Sequence, residues 1–180
     1  GDLLASELGQ PAEAERIWLN AIRSTWSDAP LARLLKRAQE SNSHRLFVRA
    51  HLAAARALRG DPAAVMHAME AGAGLAALLD RPLLAIYAYR FAADHAEEHG
   101  TDALPALRAL VELHRAVGDV TAGLAVVDRM GELTQGAARA LSLETRADLL
   151  EALAHDDEGA EAARREALRE DPTFRTSALA

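Results

Sequence analysis

The side chains with the most chemical potential in this 180-residue chain stand together in the segment His95-Ala-Glu-Glu98-His99. Two histidines four apart share one face of a helix, so both imidazoles can reach a single zinc ion, and Glu98 is placed to act as a base on a metal-bound water. A second spelling, Gly72-Ala-Gly74-Leu-Ala-Ala77, is that of a glycine-rich turn whose backbone approaches the pyrophosphate of a dinucleotide. Each chemistry demands a particular setting. The glycine motif works only between a strand and a helix, and the zinc motif needs a further acidic ligand from elsewhere in the fold. The elements around these residues therefore decide what they can do.

Those elements read as helices throughout. The chain holds 42 Ala and 28 Leu, against 17 Val, Ile and Thr together. Ala and Leu lose little freedom in a helix, and the stiff β-branched residues that favour strands are scarce. A mainly β fold is excluded, and so is disorder, because half of the residues are hydrophobic. In a helix that ends at Gly100, His95 and His99 have a simpler role as cation-favouring residues of the last turn. The zinc motif resembles that of inverted zinc metallopeptidases, but the mixed α/β fold of that family has no counterpart here. Val65 to Met69, just before the glycine motif, also read as helix, so Gly72 and Gly74 are expected to permit a close helix crossing or a bend.

Charge and cysteine usage narrow the partners. A net charge of −7, from 27 acids against 20 bases, argues against a duplex-DNA or anionic-membrane binder, which needs a basic face. With no cysteine there is no disulfide framework, thiolate metal site or cysteine nucleophile, which fits a reducing cytoplasm. No apolar run approaches the ~20 residues that span a bilayer. The bases are 19 Arg and one Lys, Lys36, a usage that with the alanine excess points to a GC-rich bacterial genome.

Turn signals recur at short intervals: Gly9-Gln10-Pro11, Ser41-Asn42-Ser43, Gly60-Asp61-Pro62, Asp80-Arg81-Pro82, Gly118-Asp119 and Asp171-Pro172 are examples. Gly stops one helix, Asp or Ser caps the next and Pro fits its first turn. The spacing predicts ten helices over 2–8, 11–25, 30–40, 44–59, 62–79, 82–99, 102–117, 119–133, 137–154 and 157–170, forming one all-helical domain over 1–180. Residues 2–8 are too short to partner 11–25, so the sequence is expected to be a piece of a longer protein or to lack part of its first helix.

One pattern repeats across these helices: a small residue, a bulky one four on, and a small one three further. It runs Ala14-Trp18-Ala21, Ala85-Tyr89-Ala92 and Ala160-Arg164-Ala167, with blurred copies at Val48-Leu52-Ala55 and Gly123-Val127-Met130. The first members lie 34, 37, 38 and 37 residues apart. Small residues at i and i+7 let a helix approach its neighbour closely while the bulky residue fills the groove between them. Trp18 and Trp26, eight apart, would share one helix face and could mark a partner-binding surface; Trp18 occupies a bulky position and is expected to pack inside, whereas Trp26 sits at the helix end.

With Gly9, Asp80 and Gly118 five residues before the small position and Pro172 closing the last unit, the chain resembles a tetratricopeptide-repeat array. The aromatic near the start of that family's first helix is missing, and Arg164 stands in a normally apolar slot. The long units resemble the repeat domains of bacterial transcriptional activators. The resemblance implies an all-α solenoid of about five antiparallel hairpins, a TPR-like superhelix that binds protein or peptide without catalysis and without a cofactor or metal. The first helix of each hairpin would line a concave groove presenting Arg33, Arg37, His67, Glu70, Arg108, Glu112, Arg115, Thr145 and Arg146. The family's Lys-containing carboxylate clamp is absent, yet the arginines suit an acidic peptide. Arg108 and Glu112 could instead pair on a solvated face. Three other expectations stay open: a sensor domain of a transcriptional regulator with its DNA-binding part elsewhere, self-association through the solenoid ends, and a zinc peptidase around His95, Glu98 and His99.

Overall fold

A computed structural model describes residues 10–174. Among them the chain is all-α, with no strand. The helices are α1 (Pro11–Ser24), α2 (Asp28–Glu40), α3 (His44–Ala57), α4 (Ala63–Ala73), α5 (Pro82–Glu98), α6 (Leu104–Val117), α7 (Val120–Glu132), α8 (Ala137–Leu149) and α9 (Asp157–Glu170). The expected helix over 2–8 lies outside the described residues. Two helices end in a π turn, α4 over Gly74–Leu78 and α8 over Leu150–Ala154. The expected single helices over 62–79 and 137–154 thus each change pitch near their end.

The turn chemistry accounts for the boundaries. Ser43 Oγ accepts the Leu46 N–H, Asp119 Oδ1 that of Ala122 and Asp156 Oδ1 that of Gly159, so α3, α7 and α9 start on side-chain caps. Pro11 and Pro82 open α1 and α5, where a missing N–H costs nothing. Gly118 ends α6 at φ 74°, a left-handed conformation that glycine adopts without strain. Asn42, Asp80 and His155 serve the same purpose with φ near 50°. All connections are two to five residues long, so helices that are neighbours in sequence and pack together run antiparallel.

The chain groups into two compact units, one ending at Ala106 and one starting at Leu107. The boundary falls inside the first turn of α6 rather than in a linker. In the first unit α1, α2 and α3 pack against one another, α3 packs on α4, and α4 on α5. In the second, α7 packs on α8 and α8 on α9.

The repeated pattern marks buried positions. Ala14, Trp18, Val48, Ala55, Ala85, Tyr89, Ala92, Val127, Met130, Ala160 and Ala167 are all buried. Trp18 packs inside with Leu19, Ile22 and Leu34, as its place in the pattern predicts. Trp26 does not share a helix with it, because α1 stops at Ser24 and Trp26 lies in the turn before α2. The glycines of the 72–77 motif act as spacers. A Cβ on Gly72 would lie 2.9 Å from the Tyr89 ring, and one on Gly74 would lie 2.7 Å from Val48 Cγ2. Gly72 lets α4 sit on the bulky residue of α5, and Gly74 lets its π turn close on α3. No strand precedes them among the described residues, so the dinucleotide reading has no structural basis.

Candidate functional site

Helix α5 carries more apolar surface than its own core face uses. Ala85, Tyr89 and Ala92 point inward and are buried; Leu84, Tyr87, Ala88 and Phe91, at i, i+3, i+4 and i+7, make a second stripe in which Ala88 is buried, Phe91 half-buried and the other two exposed. That stripe forms one wall of a cleft in the first unit. Leu52, Ala55 and Arg56 of α3 line it as well, as do Ala68 of α4 and Leu75 of its π turn, enclosing about 310 Å³. Leu84 is 53% exposed, Tyr87 68% and the neighbouring Leu83 64%. Large apolar side chains displayed side by side mark an interaction surface, whereas single ones carry no message. Among the described residues, Arg56 is the one charged residue lining the cleft.

The expected groove residues are distributed between the units. Arg33 and Arg37 lie on α2, His67 and Glu70 on α4, all in the first unit; Arg108, Glu112 and Arg115 on α6 and Thr145 and Arg146 on α8 belong to the second. Several already have partners. Arg37 meets Glu15 at 3.6 Å, Arg115 meets Glu112 at 3.7 Å, and Arg146 pairs with Asp128. Glu112 thus pairs with Arg115, three residues on. Thr145 Oγ1 donates to the Leu141 carbonyl of its own helix. Arg33, Glu70, Arg108 and Glu112 are exposed. None of the nine lines the apolar cleft.

His67 departs furthest from the expectation, because it is buried, 6% exposed, rather than presented to a groove. Its Nδ1 lies 3.1 Å from Nδ1 of His51, also buried, so one ring donates and the other accepts. Trp26 and Phe47 flank the pair, with ring centroids 5.8 Å from His67 and 4.6 Å from His51. Burial, reinforced by the neighbouring imidazole, pushes the His51 pKa down to about 4. Burial lowers that of His67 too, against the opposing pull of Asp28 and Glu70. Both rings are neutral core groups near pH 7.

His95, Glu98 and His99 close α5, and the structure brings their donor atoms within 4.8 Å of one another. His95 is buried and its Nε2 reaches the Asp61 carbonyl at 3.3 Å, while Glu98 faces solvent. His99 caps the helix and precedes Gly100, whose φ of 63° ends it.

The cleft residues Leu84, Tyr87 and Phe91 were not among those singled out in the sequence. Their signal is a second apolar stripe on α5 beside the small-bulky-small one. Among the described residues, no helix is long and apolar enough to cross a membrane. No family model, curated protein or solved structure matches this chain.

Proposed function

We propose that this chain is a non-enzymatic binding module, built of helical hairpins like those of tetratricopeptide repeats, that holds a peptide segment of another protein. The observation that carries the reading is the cleft between α3 and α5, with Leu84 and Tyr87 exposed on its wall. A cleft of about 310 Å³ stands at the small end of the ligand-pocket range and has room for one or two large apolar side chains. Leu83 beside it extends the contact surface outward, and aromatic anchors such as Tyr87 on its wall dominate peptide and protein interfaces. Arg56 at the rim favours an acidic residue or carboxylate next to the apolar anchor, through charge-assisted hydrogen bonds. The acidic preference thus rests on Arg56, because Arg37, Arg115 and Arg146 are engaged by carboxylates of the chain itself. The near-constant repeat spacing and the packing of neighbouring helices support the hairpin part of the reading.

Selection of a random displayed-peptide library on the purified chain tests it. The expected outcome is a consensus of one or two large apolar residues beside an acid. Binding of the selected peptide should fall at least about tenfold in Leu84→Glu and in Tyr87→Glu, the loss of ~1.4 kcal/mol or more that hot-spot residues show. Absence of a consensus, or a consensus peptide that binds both variants as well as the parent, overturns the proposal. Both positions are exposed, so neither variant disturbs the core.

A further inference from the structure

We propose that His95, Glu98 and His99 form a binding site for one divalent transition metal of the zinc class. The first support is the electronic arrangement at His95. Its Nε2 meets the backbone carbonyl of Asp61, and a carbonyl only accepts, so Nε2 carries the ring proton. In the neutral ring, Nδ1 is then a bare lone pair, and it faces Glu98 Oε2 at 3.5 Å. Two acceptors turned toward each other need a cation between them, either a second proton on the ring or a metal ion.

His99 supplies the second support. It stands four residues from His95 on the same helix face, with ring centroids 4.4 Å apart, and its Nε2 is buried with no hydrogen-bond partner. One donor atom from each of the three residues lies within 4.8 Å of the others, so small rotations bring them onto one ion. A metal joined to all three satisfies the facing acceptors at His95 and Glu98 together and gives His99 a partner, which a proton on His95 does not.

The setting fits the ion in charge and in class. The site lies in the last turn of α5, where the negative end of the helix dipole attracts cations. Two imidazole nitrogens with one carboxylate oxygen suit zinc, cobalt or nickel, whereas magnesium and calcium prefer all-oxygen sets. The Asp61 carbonyl plays the part of the outer-shell acceptor that fixes the tautomer and orientation of a metal-bound imidazole. Glu98 is 73% exposed, so the ion enters from solvent. Three protein ligands leave a fourth position for water. Because Asp61 belongs to the turn between α3 and α4, an ion on His95 also fastens the end of α5 to that turn through one imidazole.

The test uses the untagged chain, stripped of metal by chelator and titrated with Zn²⁺ in a calorimeter. One equivalent is expected. His99→Ala removes a direct ligand and should weaken binding by more than the ~10–100-fold typical of an outer-shell partner. Glu98→Gln should weaken it less, and His155→Ala, an exposed histidine elsewhere, not at all. Zn²⁺ should raise the melting temperature of the parent and leave that of His99→Ala unchanged. His99 and Glu98 lie at the helix end and neither lines the apolar cleft, so peptide binding by the metal-free His99→Ala and Glu98→Gln chains is a separate readout. Less than one equivalent of zinc, or undiminished affinity in His99→Ala, overturns the proposal.

Discussion

The two units are made of the same alanine-rich helices but fill the space between them with different chemistry. The first places aromatic and imidazole rings there: Trp26, Phe47, His51 and His67 touch in one cluster, and Tyr89 lies on Gly72. The second keeps an aliphatic core of Leu107, Leu110, Val111 and Leu149 and sets ion pairs at the margins of its helix contacts. Arg164 stands at the repeat position held by Trp18 and Tyr89 in the first unit, and its guanidinium reaches Glu151 at 2.6 Å, Asp148 at 3.5 Å and Glu144 at 3.6 Å. Arg139 meets Glu166 at 3.8 Å, and Arg146 pairs with Asp128. One repeat slot accepts either solution because an arginine stem covers apolar surface much as a ring does, while its head turns to carboxylates. The first unit should accordingly respond to acid and to added volume, and the second to salt.

Acid gives the largest expected effect. The pKa values of His51 and His67 are lowered in the folded chain, that of His51 from 6.5 to about 4. Between those values the unfolded chain binds protons that the folded one refuses, so stability falls as the pH drops. The loss begins near pH 6.5, continues to about pH 4 and reaches about 3 kcal/mol for His51 at ~1.36 kcal/mol per pKa unit. Urea unfolding followed from neutral pH down to about pH 4.5 measures it. Replacing His51 by Leu removes the titrating group and should flatten the curve; a variant curve parallel to the parent's would show that the buried pair does not govern acid sensitivity.

This contrast also separates what the sequence could and could not disclose. Helix positions were legible because the turn residues act locally: Ser43, Asp119 and Gly118 cap or stop their helices wherever those helices pack. Burial of Ala85, Tyr89 and Ala92 was legible because small-bulky-small spacing is a property of one helix. The environment of His67 was not, since burial there depends on His51 and Trp26, sixteen and forty-one residues away. Nor was the cleft, because its walls come from two helices and only α5 carries a visible stripe. The metal-site spacing was plain in His95 and His99, but its outer-shell support, the Asp61 carbonyl, lies thirty-four residues earlier and has no side-chain signature.

Added volume tests the first unit next. Gly74→Ala would put a Cβ 2.7 Å from Val48 Cγ2, a stiff, β-branched and buried neighbour. Overpacking of this kind costs about 1–3 kcal/mol, more than the helix propensity gained by alanine. If the clash is the cause, Val48→Ala in the same chain relieves part of it, and a double-mutant cycle gives a favourable coupling. Simple additivity would mean that the close approach at Gly74 carries no energetic weight.

For the second unit the corresponding lever is Arg164→Met, which keeps the apolar stem and removes the charge. The Arg164 side chain is 16% exposed, between the surface pairs that contribute little and the buried ones that contribute several kcal/mol, so about 1–2 kcal/mol should be lost. Added salt should narrow the gap between variant and parent, since it screens the parent's ion pairs and finds none to screen at that position in the variant. A gap of constant size from low to high salt would mean that Arg164 acts through packing alone.

The smallest effect has the opposite sign and completes the contrast between glycines. Gly131 lies in the last turn of α7 in the second unit, and a Cβ built there meets nothing within 4 Å. With no clash to offset it, Gly131→Ala keeps the gain from restricting the unfolded chain and from better helix propensity, up to ~1 kcal/mol and less near a fraying helix end. Thermal unfolding should show a small rise in melting temperature where Gly74→Ala shows a fall. The same substitution then stabilises one helix and destabilises another for one reason: α4 uses the missing side chain to approach α3, and α7 at Gly131 approaches nothing. A fall at both positions would mean that Gly131 is packed as closely as Gly74, and the contrast between these two glycines would fail.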